Sequence, residues 1–330
     1  FYSVSSVCTP SRAGMLTGRL PQRFGLNGVL FPDSHTGMPS SEYTIAELLR
    51  DNGYNTGIIG KWHLGHNYEY LPLQQGFDSF FGIPYSNDMA STVYFRGNQV
   101  VDHFPDQSLM TKKLTEESIK FIESNSGNKF YLYLAHPMPH VPIYASEDFI
   151  GSSERGLYGD VIQELDWSVG KIVEKLRDIN LLDNTMIIFS SDNGPWLTMK
   201  EMGGSSGNLR NGKMYTFEGG MRVPTLAMLN GVIPPGTISN EITSQLDWFP
   251  TLASLTNSKI PDDLILDGIN IEELFNGQNL NYDRDYLYFD YERLEGYRKG
   301  DWKIKLPYGG WPGSWYKSPI DAHDTLLFNM

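Results

Sequence analysis

The stretch TGIIG at residues 56–60 runs directly into Lys61, Trp62 and His63, and this pattern decides the fold class. Short apolar runs of the same kind recur along the chain as FYLYLA (130–135), TMIIFS (185–190) and VPTLAML (223–229). Between the runs, apolar residues spaced by three and four predict amphipathic helices over 43–52, 111–124 and 156–178. Apolar strands that alternate with helices are typical of an α/β fold, with a mainly parallel central sheet and helices on both faces.

Polar side chains that can carry chemistry follow three of these runs, at the point where each run ends. They are Lys61 and His63, His136 and His140, and Asp192 and Asn193. In open α/β sheets, ligands bind at the carboxyl ends of the strands. We therefore expect these side chains to meet at one edge of the sheet and to form a site there.

The length and charge of the chain exclude several classes of protein. It has 330 residues, of which 39 are acidic and 26 basic, so its formal net charge is −13. An acidic surface repels a phosphate backbone, which argues against a nucleic-acid binder. No stretch approaches the roughly 18 apolar residues that suggest a membrane span, so we expect none. An anionic small substrate stays possible, because a few lysines, arginines or a metal ion can make one cleft positive.

Cys8 is the single cysteine, so the chain can form no intramolecular disulfide. A lone cysteine is usually a buried, inert thiol. Here it lies in Cys8-Thr9-Pro10-Ser11-Arg12, which fits a turn that leads into a helix. The positive end of such a helix, together with Arg12, would favour an anion beside Cys8.

The composition changes after about residue 280, where tyrosine, tryptophan, glycine and aspartate dominate. Tyr286–Phe289 and Trp302–Leu306 are predicted to be antiparallel strands of a smaller sheet. We therefore divide the chain into an α/β domain over 1–280 and the start of a C-terminal subdomain over 281–330. The aromatic residues Trp311 and Trp315, with Tyr308 and Tyr316, either pack this small sheet or stack on a sugar ring at a cleft mouth.

Several motifs in this order resemble the formylglycine-dependent sulfatases of the alkaline-phosphatase-like superfamily. They are Cys8-Thr9-Pro10-Ser11-Arg12 with Leu16-Thr17-Gly18-Arg19, Gly60-Lys61-Trp62-His63-Leu64-Gly65, His140-Val141-Pro142, Ser191-Asp192-Asn193-Gly194, Gly212-Lys213 and Phe217–Arg222. The matches cover nearly the whole chain. Phe81–Ser86, and Tyr144-Ala145-Ser146 followed by Tyr158-Gly159-Asp160, resemble the subgroup of arylsulfatase A and N-acetylgalactosamine-6-sulfatase.

The resemblance implies an enzyme that hydrolyses sulfate monoesters. Cys8 would be oxidised to formylglycine, whose hydrate attacks sulfur and forms a sulfo-enzyme intermediate, and a second hydroxyl would then expel sulfate. Lys61 and Lys213 would contact the sulfate oxygens. His63 would help to deprotonate the hydrated aldehyde, and His140 would protonate the leaving alcohol.

The resemblance also implies a metal site. Asp192 and Asn193 offer hard oxygen ligands, suited to calcium (Ca²⁺) and acceptable to magnesium (Mg²⁺), and Arg12 would hold the diol and these ligands in place. Family members carry a pair of adjacent aspartates on their first strand, and no such pair precedes Cys8. We therefore expect that the first strand is missing, that the chain is truncated at both ends, and that this chain binds metal weakly. Asp262-Asp263 follows Pro261 in a loop and is a poor substitute.

Structural explanations compete with these roles. Asp-Asn-Gly is a common turn, Gly212-Lys213 could be an exposed turn, and Lys61-Trp62-His63 could be a strand end with a packed tryptophan. His136 stays ambiguous, because the family motif falls on His140. The functional alternatives are a phosphonate or phosphate ester hydrolase of the same superfamily and a non-catalytic glycan-binding relic.

Partners and location follow from the same resemblance. The substrate would be a sulfated carbohydrate, of galactose or N-acetylgalactosamine type, with aryl sulfates as surrogates. A formylglycine-generating enzyme or an anaerobic maturase would act on the segment 8–12. The chain has no Asn-x-Ser/Thr sequon and one cysteine, which favours a bacterial enzyme exported to the periplasm or beyond over a lysosomal one. The residues from Phe1 onwards do not resemble a signal peptide, and because we expect the chain to be truncated this does not bear on its location. It leaves open the sugar, the sulfate position, exo or endo action and the oligomeric state.

Overall fold

The computed structural model of the chain describes residues 1–89, 92–103, 105–278 and 284–330. The helices are α1 Cys8–Thr17, α2 Ile45–Asp51, α3 Met110–Ser124, α4 Gly156–Asp178, α5 Glu218–Met221 and α6 Trp248–Leu255. The strands are β1 Asn55–Lys61, β2 Ser79–Ile83, β3 Tyr94–Arg96, β4 Gln99–Asp102, β5 Phe130–Ala135, β6 Ile187–Ser190, β7 Thr225–Met228, β8 Asp285–Asp290, β9 Arg293–Lys299, β10 Trp302–Lys305 and β11 Leu326–Asn329. The predicted boundary between residues 280 and 281 lies outside the described residues.

The central sheet has five strands in the order β4-β3-β2-β1-β5. β1 pairs in parallel with β2 and with β5, so the centre of the sheet is parallel as predicted. β3 and β4 add an antiparallel edge beyond β2. β6 and β7 do form strands, but they pair antiparallel with each other in a separate sheet. Their connection carries a short 3-10 helix over Leu197–Met202 and the single-turn helix α5, and it returns the chain antiparallel to β6.

Both faces of the central sheet are covered, as predicted. Consecutive strand residues point to opposite faces. Ile58 of β1 packs with Leu16 of α1 and Ala46 of α2. Its neighbour Ile59 packs with Leu114 of α3 on the other side. The two hydrophobic layers hold β1 rigidly, and with it the residues that follow its carboxyl end.

The helices begin and end close to the predicted positions. The patterns over 111–124 and 156–178 correspond to α3 and α4. α2 begins two residues later than predicted, because Thr44 caps it in a capping box with Glu47. The helix start at Cys8 is confirmed, and α1 ends at Gly18 in the left-handed conformation that glycine favours.

The C-terminal sheet is antiparallel, in the order β11-β10-β9-β8, and confirms the smaller second sheet. Two buried lysines of β10 tie it to the α/β part. Lys303 Nζ donates to Glu218 Oε1 of α5 at 2.8 Å, and Lys305 Nζ donates to Glu295 Oε2 at 3.0 Å. Lys305 Nζ and Glu295 also contact the hydroxyl of Thr216. The small sheet therefore holds the loop that follows Lys213.

A search of the described residues for membrane-spanning helices found none that is long and apolar enough.

Candidate active site at the start of helix α1

Cys8 is the first residue of α1 and is buried, with 3% of its surface exposed. Lys213 Nζ donates to Cys8 Sγ at 3.3 Å. Burial alone would raise the pKa of Cys8, but the charges of Lys213 and Lys61, with the adjacent side chains of His140 and His63, lower this pKa well below its usual value. Position 8 therefore lies in a pocket built to stabilise negative charge.

Lys61 ends β1 and is almost completely buried. Its Nζ donates to Ser86 Oγ at 3.1 Å, and Ser86 Oγ lies 3.2 Å from His140 Nδ1. Burial lowers the pKa of Lys61, and the charge on Cys8 opposes that shift. The backbone before it needs Gly60, because an added Cβ would lie 2.0 Å from the carbonyl oxygen of Ala135. The strands can thus approach closely where they deliver Lys61.

His63 has a φ of 64°, which is unusual for a residue other than glycine. Its Nε2 lies 2.9 Å from the carbonyl oxygen of Leu30. A carbonyl only accepts hydrogen bonds, so Nε2 carries the proton and Nδ1 is left as an acceptor. Nδ1 is buried and has no hydrogen-bond partner in the described structure. Burial and the charge of Lys61 lower the pKa of His63 to about 4, so this imidazole is neutral and ready to accept a proton near pH 7.

His140 faces the same pocket from the loop after β5. Its Nδ1 lies 2.7 Å from the carbonyl oxygen of Val141 and 3.7 Å from Asp88 Oδ1. Nδ1 therefore carries a proton, which leaves Nε2 for exchange with a ligand. Burial lowers the pKa of His140, and the charges of Lys213 and Lys61 lower it further. A bound anion would counter the two lysines and raise this pKa again.

Arg12 connects the helix to the loop after β6. Its Nε donates to Asp192 Oδ2 at 2.9 Å, and one terminal nitrogen donates to the carbonyl oxygen of Lys61 at 2.8 Å. The same nitrogen lies 3.4 Å from the hydroxyl of Tyr133 on β5. Arg12 thereby fixes the ends of two separate sheets relative to Cys8.

Asp192 and Asn193 are the candidate metal ligands, and their donor chemistry fits a hard cation. Asn193 Nδ2 donates to the carbonyl oxygen of Gly194, so Oδ1 is turned away from that bond, and it is buried without a partner. The described part of the chain contains no group of three or more histidine, cysteine or acidic side chains that could hold a metal. Two oxygen donors are too few for calcium or magnesium, which take about six or more ligands.

Gln245 is a buried side chain that connects three segments around the site. Its Oε1 accepts from Ser11 Oγ at 2.7 Å and from the backbone of Val4 at 3.0 Å. Its Nε2 donates to the carbonyl oxygen of Ser191 at 2.8 Å. Helix α1 and the loop that carries Asp192 are therefore joined through one amide.

Trp196 forms one wall of the pocket. Its ring centroid lies 5.5 Å from that of His140, and Lys213 Nζ lies 4.9 Å from the Trp196 ring centroid. The indole is thus in contact with two of the residues that surround Cys8.

The predicted site residues come together around the start of α1: Cys8, Arg12, Lys61, His63, His140, Asp192, Asn193 and Lys213. His136 does not join them, because its Nε2 lies 3.0 Å from Ser168 Oγ of α4. Sequence reasoning missed Ser86, Tyr133, Trp196 and Gln245. Ser86 follows the end of β2, so the rule that polar residues after strands build the site could have found it.

Comparisons with known proteins identify the family of this chain. A family model described as Sulfatase matches residues 1–258. Arylsulfatase A of Bos taurus is 41% identical, over 100% of this chain and 73% of that protein. N-acetylgalactosamine-6-sulfatase of Canis lupus familiaris is 37% identical over 97% of this chain. The chain spans about two thirds of the length of that relative, 66%.

Solved structures show the same fold. A sulfatase from Pseudoalteromonas sp. superposes with a TM-score of 0.89 at 28% identity, over 99% of this chain and 74% of that one. A phosphonate monoester hydrolase from Silicibacter pomeroyi superposes with a TM-score of 0.69 at 16% identity over 99% of this chain and 80% of that one, which shows a shared fold alone. The sulfatase resemblance and the α/β fold class are confirmed. With its family model matched over residues 1–258 and its motif residues gathered around Cys8, the chain belongs to the sulfatase family.

Proposed function

We propose that this protein hydrolyses sulfate monoesters of a carbohydrate, with formylglycine derived from Cys8 as the nucleophile. One observation carries the proposal: two buried lysines and two histidines with opposite proton roles surround a cysteine at a helix start. A sulfate ester carries its negative charge on several oxygens. Buried cations that are already in place stabilise that charge more strongly than water does.

The chain's own residues divide the work. Lys213 lies against position 8 and Lys61 lies on the Ser86 side, so the two ammonium groups can hold sulfate oxygens from different directions. His63 Nδ1 accepts a proton from the group at position 8. His140 Nε2 delivers a proton to the oxygen of the leaving alcohol once the substrate's charge has raised its pKa.

Formylglycine would supply, as its hydrate, one hydroxyl that attacks sulfur and a second whose deprotonation releases sulfate. Asp192 and Asn193 would hold a calcium or magnesium ion, which would add positive charge beside the sulfate. We infer that a metal ion needs more ligands than these two side chains, because calcium and magnesium take about six or more oxygen donors.

A maturation enzyme is required for this chemistry. Every residue of the segment Cys8–Arg12 is buried in the folded chain. A formylglycine-generating enzyme or an anaerobic maturase would therefore have to reach Cys8 before folding is complete. We also propose that the protein is exported by a bacterial cell, to the periplasm or beyond, in keeping with its single cysteine and lack of sequons.

Among carbohydrates, we propose a sulfated galactose or N-acetylgalactosamine unit as the substrate. One relative supports this choice by name, since it is an N-acetylgalactosamine-6-sulfatase, and a second relative is named an arylsulfatase. Aryl sulfates are then surrogates that present the same sulfate group.

The test compares 4-nitrophenyl sulfate with 4-nitrophenyl phosphate for the matured full-length protein and for Cys8→Ala. We expect the sulfate to be hydrolysed faster, and we expect Cys8→Ala to lose at least about 1000-fold in kcat with unchanged thermal unfolding. The mass of the peptide that contains Cys8 should be lower by about 18 Da, the loss from thiol to aldehyde. An active Cys8→Ala variant would contradict the nucleophile, and faster hydrolysis of the phosphate would contradict the substrate class.

A further inference from the structure

Trp315 is an exposed tryptophan on a well-anchored loop. It is 77% exposed, yet the loop that carries it is held by backbone pairs between Tyr308 and His323 and between Trp311 and Ile320. At the tip, the backbone of Ser314 donates to the carbonyl oxygen of Lys317 at 2.7 Å. The exposed indole gains little from burial, so its anchored position leaves a flat apolar surface available to a ligand.

The loop tip is fastened to the walls of the active site. Trp196 Nε1 donates to the carbonyl oxygen of Tyr316 at 2.7 Å, and Thr198 Oγ1 donates to the same oxygen at 3.0 Å. The hydroxyl of Tyr215, two residues after Lys213, donates to the carbonyl oxygen of Ser318. The position of Trp315 is therefore set by the segments that carry Trp196 and Lys213.

Trp315 extends the aromatic surface of the pocket outwards. Its ring centroid lies 6.3 Å from that of Trp196, with the ring planes inclined at 40°. Trp196 in turn contacts His140 and Lys213. We refer to Trp196 and Trp315 together as the indole wall, which runs from the residues around Cys8 to the solvent.

We propose that the indole wall binds the carbohydrate part of the substrate, with Trp196 against the sulfate-bearing ring and Trp315 against the next sugar ring. This inference rests on the proposed sulfatase function and assigns its substrate as a sulfated oligosaccharide. One face of a pyranose ring presents C–H groups, which pack well on the electron-rich face of an indole. The indole wall is uncharged, so Lys61 and Lys213 would bind the sulfate group. The wall would select the sugar rings to which that sulfate is attached.

The experiment measures kcat/KM of the matured full-length enzyme for two esters. One is 4-nitrophenyl sulfate, and the other is a disaccharide that carries a 6-O-sulfated N-acetylgalactosamine. In Trp315→Ala, the ratio of kcat/KM for the disaccharide to kcat/KM for the aryl ester should fall about tenfold, through KM, as a lost stacking contact predicts. Trp315→Phe should keep most of the ratio. Trp302→Ala, which removes a 53% exposed tryptophan of β10, should leave it unchanged.

The outcomes separate the two proposals. An unchanged ratio in Trp315→Ala would overturn the role of the wall while the sulfatase function stands. So would a wild-type enzyme that hydrolyses the aryl ester but neither hydrolyses nor is inhibited by the disaccharide. A matured wild-type enzyme that hydrolyses neither ester would overturn the sulfatase function, and the wall's role with it.

Discussion

Replacing Gln245 with leucine should separate the helix that carries Cys8 from the loop that carries Asp192. The amide makes three hydrogen bonds, to the backbone N–H of Val4, the hydroxyl of Ser11 and the carbonyl oxygen of Ser191. Leucine is close to glutamine in size, so it leaves little cavity and removes mainly the polar contacts.

The expected cost follows from the groups that lose their partner. Gln245 is 2% exposed, and Val4 and Ser11 are also buried, so water cannot easily replace the amide. A buried polar group left without a hydrogen bond costs roughly 1–3 kcal/mol. Three such groups, partly relieved by local movement, should lower the free energy of unfolding by about 3–6 kcal/mol.

The assay is urea unfolding followed by circular dichroism, together with turnover of 4-nitrophenyl sulfate at a temperature where all variants are folded. The control is Leu274→Ala, a core substitution that removes no hydrogen bond of Gln245 and should cost about 2–5 kcal/mol. Gln245→Leu should lose at least about tenfold more kcat than this control, because a displaced Ser191 moves Asp192 and Asn193. The reasoning fails if Gln245→Leu is as stable as wild type, or if its activity loss is no greater than that of Leu274→Ala.

Three further predictions concern single residues. Burial lowers the pKa of His136 to about 4, below its ordinary 6.5, so the unfolded chain binds the proton more readily between these values. The contribution of His136 to the free energy of unfolding should therefore be complete above pH 6.5 and should fall by up to about 3 kcal/mol on acidification. Urea unfolding at pH 7 and pH 5 should show a smaller fall for His136→Gln than for wild type, and an equal fall would contradict the assignment. Lys213→Met removes the cation beside Cys8, so thiolate absorbance of the unmatured protein should show a raised pKa for Cys8. In the matured enzyme, kcat/KM should fall at least about 100-fold. An unchanged pKa of the Cys8 thiol would contradict the contact. Gly82→Ala would place a Cβ 1.8 Å from the carbonyl oxygen of Gly60, so thermal unfolding should show that the free energy of unfolding falls by more than about 3 kcal/mol. The control is Gly127→Ala, which has open space around it and should cause no such fall.

Local periodicity was enough to predict much of the fold. The patterns over 111–124 and 156–178 predicted α3 and α4, because a long apolar stripe with spacings of three and four fits only a helix. It could not find β2, whose five residues follow a loop and include a glycine. Local periodicity also could not predict how β6 and β7 pair, because the period within a strand does not specify its partner or its direction.

The sequence predicted the site residues that lie at or after the ends of strands. It did not predict the side chains that other segments of the chain contribute to the site. Lys61 is the last residue of β1 and His140 lies in the loop that follows β5, and both strands are parallel. Trp196 and Gln245 carry no motif, and their roles come from contacts with segments many residues away. The same holds for the tautomer of His63, which is set by the carbonyl oxygen of Leu30 in a loop that has no pattern of its own.

The two buried lysines of the C-terminal sheet bear on how the protein can be divided. Glu218 receives Lys303 and the hydroxyls of Tyr2 and Tyr288, so cutting the chain near residue 280 would leave its carboxylate buried without its cation. The same cut would remove the partners of Thr216, three residues from Lys213. A fragment that stops there would lose the contacts that hold the loop after Lys213, which we propose binds sulfate. The composition changes near residue 280, but the buried pair of Lys303 and Glu218 and the contact of Lys305 with Thr216 link the C-terminal sheet to the α/β part.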